Sequence, residues 1–176
     1  MKEHTNPMAR KTAAKETGDA IALPEMVCNG TALRKATRRV SQLYDAVLAP
    51  CGLRSTQRSI LIHIARAGRP SMGELAESLV LDRSALAHNL KPLERDGFVA
   101  VVEDPTDRRS HLVELTALGK AKLKESMQLW EQAQHRFETA FGSEQASVLR
   151  RLLALIASND FAKTFQQAED TIGGKR

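Results

Sequence analysis

The sequence has few aromatic residues and little cysteine. Aromatics are 4% of its 176 residues, with one tryptophan, one tyrosine and two cysteines. Cys28 and Cys51 are too few for a disulfide framework and form no CxxC knuckle. The histidines, at 4, 63, 88, 111 and 135, are scattered, and no His/Cys/Glu group has metal-ligand spacing. G-x-S-x-G, HExxH and a phosphate-cradling glycine loop are all missing, so no familiar catalytic motif is present. No apolar run approaches the ~20 residues that span a bilayer. The opening 24 residues hold no apolar core segment, unlike a secretory signal. The expectation is a non-enzymatic protein of a reducing cytoplasm, off the membrane, with no metal and no cofactor.

What remains is an aliphatic, mildly basic chain. Hydrophobic residues are 42%, and 26 Lys and Arg against 21 Asp and Glu give a net charge of +5. That balance is compatible with a polyanionic partner, and placement of the charge matters more than its sum. The length fits one domain, or one domain with an extension. Residues 1–24 mix Lys, Glu, Thr and Ala without periodicity and end at Pro24. They read as a disordered tail, leaving 25–170 as the folded domain.

Within that domain, helical spacing of Leu33, Val40, Leu43, Tyr44 and Val47 predicts a first helix over about 28–49, stopped by Pro50 and Gly52. Its first half carries Arg34, Lys35, Arg38 and Arg39. Ser55 or Thr56 can cap a second helix containing Ile60, Leu61 and Ile64. Ser71 and Glu74 have capping-box spacing for a short third helix. Asp82 can cap a fourth, with Leu86, Leu90 and Leu93 as its buried stripe and Ser84, His88, Lys91 and Arg95 opposite. Pro92, inside it, predicts a bend.

Two alternating runs follow, FVAVVE and HLVELT, around the turn DPTDRRS. A long helix over 117–141 carries Leu123, Met127, Trp130, Phe137 and Phe141, with Gln134 the one polar member of the stripe. Gly142 breaks it. Ser143 is the expected cap of one last helix over about 143–167.

A short capped helix, a helix with a polar outer face and a hairpin, in that order, describe a winged helix-turn-helix over about 53–116. The fold class is mainly α with a small β-hairpin. The outer helices exceed what such a module needs, and their apolar stripes can bury against a second copy.

Residues 90–123, LKPLERDGFVAVVEDPTDRRSHLVELTALGKAKL, resemble the signature of MarR-type transcriptional regulators. The resemblance rests on Leu93, Glu94 and Gly97, on Asp104-Pro105 and Asp107-Arg108-Arg109, and on Leu115-Thr116 with Gly119. APCGLRSTQRSIL is similar to the start of the family's second helix, and a looser likeness runs from about Cys28 to Phe165. The resemblance implies a homodimer joined by helices 28–49, 117–141 and 143–167. It implies binding to a palindromic double-stranded operator, no catalysis, and repression relieved by a small aromatic or phenolic acid.

In that setting Ser84, His88 and Asn89 are the candidates for reading base edges in the major groove. Arg83, Lys91 and Arg95 are better placed for phosphates. Ser55, Thr56 and Gln57, at a helix N-terminus, can bind a phosphate or simply cap the helix. The resemblance implies that Asp107 holds a neighbouring arginine, with Arg108 or Arg109 entering a minor groove. The alternative is a hairpin tip kept soluble by charge. Leu81 to His111 holds five Lys or Arg against six Asp or Glu, so any binding of DNA comes from local placement.

Arg38, Tyr44, Arg58 and His63 are candidates to line an effector cavity, where a cation can pair with a carboxylate. His63 reads equally as a core histidine. Cys28, near a helix start, is a candidate redox thiol. Peroxide-sensing relatives carry a cysteine in that region, although the tyrosines expected beside it are absent. Cys51 is expected to be an exposed loop residue. The competing class is a winged-helix module that binds another protein.

Overall fold

The computed structural model describes residues 28–107 and 109–173. The expected N-terminal tail lies outside them. The elements are α1 (Asn29–Leu48), a 3-10 turn (Ala49–Cys51), α2 (Ser55–Ala67), α3 (Met72–Ser78), α4 (Arg83–Arg95), β1 (Val99–Glu103), β2 (His111–Leu115), α5 (Ala117–Phe141), α6 (Ser143–Ile156) and α7 (Asn159–Gly173). The architecture is the expected one, mainly helical with an antiparallel hairpin, in register from Val99 opposite Leu115 to Glu103 opposite His111.

The polar residues that start helices decide most boundaries. In α3 the capping box is complete: Glu74 N–H donates to Ser71 Oγ at 3.2 Å and Ser71 N–H to Glu74 Oε2 at 2.8 Å. Asp82 Oδ1 accepts the Ala85 amide at 2.7 Å and so begins α4. Thr116 Oγ1 accepts the Gly119 amide at 2.9 Å and donates to Gly97 O at 2.6 Å, which ties α5 to the end of α4. Gly119 has to be small there, because a Cβ would lie 1.9 Å from Phe98 O.

Several expected boundaries are corrected. The cap of α2 is Arg54, not Ser55 or Thr56. Gln57 Oε1 accepts the Arg54 amide at 2.9 Å, and Asp45 of α1 takes the Ser55 amide at 2.6 Å. The cap of α6 is Gly142, at φ 92°, rather than Ser143. The expected last helix is two helices. The chain breaks at Ala157 and Ser158, where Ser158 Oγ accepts the Phe161 amide at 3.2 Å and restarts the helix. A serine followed by asparagine and aspartate competes with the backbone for its own hydrogen bonds, which favours a new start over a continued helix. Helix α4 runs through Pro92 in one piece.

The core joins the short helices to the hairpin. Leu48, Leu61, Ile64, Leu75, Leu86, Leu93 and Val113 are fully buried. Each such leucine contributes roughly 1.5–3 kcal/mol by leaving water. The segment between α2 and α3 adds a bond the sequence did not foretell: Val113 N–H donates to Pro70 O at 2.9 Å, with Ser71 bridged to Leu112. The hairpin therefore rests on the helix-turn-helix. In the turn between α3 and α4, Val80 has φ 53° and is exposed.

The outer helices present the opposite picture. Tyr44 Oη donates to Gln134 Oε1 at 2.6 Å, which explains the one polar residue in the α5 stripe. Leu43, Phe141, Leu152, Leu153, Leu155, Ile156 and Phe165 of α1, α5, α6 and α7 stay exposed.

Candidate nucleic-acid interface

Helix α4 has one face sunk in the core and the other in water. Leu86, Leu90 and Leu93 are buried, as the spacing predicts. Ser84, His88, Asn89, Lys91 and Arg95 are exposed. Arg95 Nε bonds Asp96 Oδ1 at 2.9 Å, a contact that raises its pKa further, while the rest of its side chain stays exposed. Arg83 is exposed, and its guanidinium lies close over Gly73, at the first turn of α3.

The N-terminus of α2 faces this helix. A cleft of about 520 Å³ separates them, lined by His88, Asn89 and Arg95 on one side and by Arg54, Thr56 and Gln57 on the other. Thus residues 31 to 41 positions apart in the chain border one polar concavity. Ser55 does not line the cleft and its amide is bonded to Asp45, and Gln57 is partly engaged in capping. Arg54 was missed from the sequence. The available signal was an arginine directly ahead of a helix start, where a positive side chain adds to the positive end of the helix dipole.

The hairpin tip is shaped by its aspartates. Asp104 Oδ1 accepts from the Thr106 amide at 2.8 Å and from its hydroxyl at 2.6 Å, and these bonds lower its pKa. Asp107 Oδ1 accepts the Arg109 main-chain amide at 3.0 Å. The aspartate thus holds the backbone of that arginine, and the Arg109 side chain is exposed. Arg108 lies outside the described residues. At the base of the hairpin, Arg69 Nε pairs with Glu114 at 2.8 Å.

Of the expected effector residues, the fold joins two and separates two. Tyr44 and Arg58 line a crevice of about 410 Å³ together with Leu48, Ile62 and Trp130. Arg58 is buried. Its Nε donates to Ser126 Oγ at 3.1 Å, its Nη2 reaches Met127 Sδ at 3.3 Å, and the guanidinium lies 4.7 Å from the Trp130 ring centre. Among the described residues no carboxylate pairs with it, and burial lowers its pKa. Burial likewise raises that of Tyr44. His63 lines a different hollow, beside Arg66, Arg69 and Glu74, with Nδ1 2.7 Å from Ser59 O. Arg38 is exposed on α1 and is not among the residues lining the crevice.

The cysteines divide sharply. Cys28 is exposed at the N-cap of α1, and hydrogen bonding with Thr31 lowers its pKa. Cys51, expected in the open, is buried, with Sγ donating to Leu48 O at 3.0 Å. Among the described residues no three His, Cys, Asp or Glu side chains converge as a metal site requires. No described helix is long and apolar enough to cross a membrane.

Residues 53–111, which run from just ahead of α2 through α4, β1 and the hairpin turn to the first residue of β2, match the MarR family. The transcriptional activatory protein BadR of Rhodopseudomonas palustris is 42% identical over 72 residues, 39% of this chain and 41% of that one. The chain thus spans less than half of BadR. The multiple antibiotic resistance protein MarR of Salmonella typhimurium is 30% identical over 107 residues, covering 61% of this chain and 73% of that one. Among solved structures, the M. tuberculosis transcriptional regulator MOSR in complex with DNA superposes with a TM-score of 0.69 at 34% identity, over 77% of this chain and 97% of that one. With its recognition helix exposed, its hairpin docked beside it and these relatives, this chain belongs to the MarR family of winged-helix transcriptional regulators.

Proposed function

We propose that the chain is a sequence-specific repressor that binds a palindromic double-stranded operator as a homodimer, without catalysis and without a cofactor. One observation carries this reading: the exposed polar face of α4 and the N-terminus of α2 share one cleft. Helix α4 enters the major groove. Ser84, His88 and Asn89 meet base edges, and Asn89 can bond an adenine edge bidentately. Arg83, Lys91 and Arg95 meet phosphates, joined by Arg54, Thr56 and Gln57, while Ser55 offers the groove little because its amide is taken. Arg109, with Arg108 beside it in the chain, reaches the minor groove from the hairpin. The exposed apolar residues of α1, α5, α6 and α7 cover one another across the dimer, since a soluble chain rarely leaves so many contiguous apolar side chains in water. The cytoplasm is the compartment that fits such a regulator.

The effector is a small aromatic or phenolic acid in the crevice of Tyr44 and Arg58. A buried guanidinium without a carboxylate is costly, and an acid supplies the missing charge. The reading is tested by gel shift on duplexes from the chain's own upstream region and a scrambled control, at two salt concentrations. Preference for one palindrome, released by salicylate, is the expected result. Equal affinity for the scrambled duplex rejects sequence-specific recognition, and no binding at low salt favours the protein-interaction alternative.

Cys28 supports a second reading, control by thiol oxidation, because it is exposed and its thiolate is favoured. Under it, DNA bound by the protein is released by hydrogen peroxide, and Cys28→Ser removes that response. Release from the Cys28→Ser protein at the same peroxide dose would end this reading.

A further inference from the structure

A hollow of about 640 Å³ lies between the end of α2, strand β2 and the first half of α5. That volume is in the range of small-molecule sites. Its floor is apolar, from Ala65, Leu115 and Leu123, and its charged groups are Arg69, Lys120, Lys124 and Glu114. Glu114 is already spent on Arg69, at 2.8 Å. Among the described residues neither Lys120 nor Lys124 has an ion-pair partner. They stand one turn apart on α5, where like charges repel. An unmatched pair of ammonium groups over a greasy floor has a definite complement.

We infer that this hollow binds an anion carrying two negative charges on a short apolar body. A single carboxylate matches one ammonium group and leaves the other. A dianion such as a phosphate monoester meets both, while its apolar tail covers Leu115 and Leu123. The hollow is separate from the Arg58 crevice. Met127 borders both, and Tyr44, Arg58 and Trp130 border only the crevice. Because Glu114 and Leu115 belong to β2, the occupant sits against the base of the hairpin and beside its Arg69–Glu114 clasp. Binding in this hollow is a property of the free protein and does not depend on an operator.

The test is calorimetric titration of the full chain, without DNA, at pH 8. The probe is octyl phosphate below its aggregation concentration, with inorganic phosphate and octanoate as comparison arms. Octyl phosphate should bind, and both comparison ligands should bind at least about tenfold more weakly, since each lacks one interaction with a charged or apolar partner. Lys120→Gln/Lys124→Gln should weaken octyl phosphate by about tenfold or more. Both lysines are exposed, so the variant should fold. Lys35→Gln/Arg39→Gln removes the same charge from exposed α1 sites and should leave affinity unchanged. Equal affinity in the α5 variant, equal weakening in the α1 variant, phosphate binding as tightly as octyl phosphate, or no heat with the unsubstituted protein would each overturn the proposal.

Discussion

Arg58 Nε donates to Ser126 Oγ at 3.1 Å, joining α2 to α5 across 68 positions of sequence. The bond satisfies one donor of a buried guanidinium, and a thioether and an indole face take others. None of these partners is an anion. A cation so placed contributes little to folding, because its desolvation cost is offset only by neutral hydrogen bonds and a cation–π contact. The proposed acid-binding role gives a reason for an arginine here.

Arg58→Met should therefore hold the thermal midpoint at or above that of the unsubstituted protein. A hydrophobe of similar reach fills the site without a buried charge. The same change should weaken salicylate binding by about tenfold or more, because a hydrogen bond to a charged group is lost. Trp130, the one tryptophan, lines the crevice and reports occupancy by fluorescence. A large drop in the midpoint would show that Arg58 is there for stability.

The DNA face predicts a division of labour. Lys91→Ala and Arg54→Ala should each weaken binding across all duplexes and shallow the salt dependence by about one phosphate contact. Asn89→Ala should relax preference at one base position at a cost of about 1–3 kcal/mol. The check is a salt titration on operator variants differing at single positions. A change of base preference with Lys91→Ala, or none with Asn89→Ala, would reverse the assignments.

Val80 is a β-branched residue held at φ 53° in the turn ahead of α4, and its side chain is exposed. Left-handed backbone costs such a residue roughly 1–2 kcal/mol, which glycine does not incur. Val80→Gly should raise the unfolding free energy by about 1 kcal/mol, allowing for glycine's greater freedom when unfolded. Urea denaturation measures it. A loss of stability would mean that the exposed valine makes contacts in the assembled protein.

Acid should loosen the helix-turn-helix. Bonds from Ser71 lower the pKa of Glu74, and bonds from Thr106 lower that of Asp104. A carboxylate with a lowered folded-state pKa contributes stability above its unfolded pKa and loses it as pH falls through the folded value. Stability should decline as pH drops below the ordinary carboxylate range. Glu74→Gln keeps an acceptor for Ser71 N–H and should flatten part of that decline. Denaturation midpoints at pH 7, 5 and 3 decide it, and an unchanged slope would remove Glu74 from the account.

Local structure was legible along the chain. Helix existence followed from the periodicity of Leu86, Leu90 and Leu93, and the capping of α3 and α4 from Ser71, Glu74 and Asp82, because these signals act within one or two turns. The hairpin and its Asp104-Pro105 turn were legible for the same reason, while the part played by Asp107 came from the family resemblance. Tertiary structure alone decided what depends on neighbours distant in sequence. Cys51 is buried because α1 and α5 close over a turn that looks open when read alone. Arg58 is buried because Ser126 and Trp130 arrive from α5. Asp45 reaches across from α1 to the start of α2, leaving Arg54 at the rim of a cleft it shares with Asn89. Spacing along a chain encodes which residues share a face. Which faces meet is set by packing, and packing brought Tyr44 and Arg58 to one crevice while leaving His63 at another.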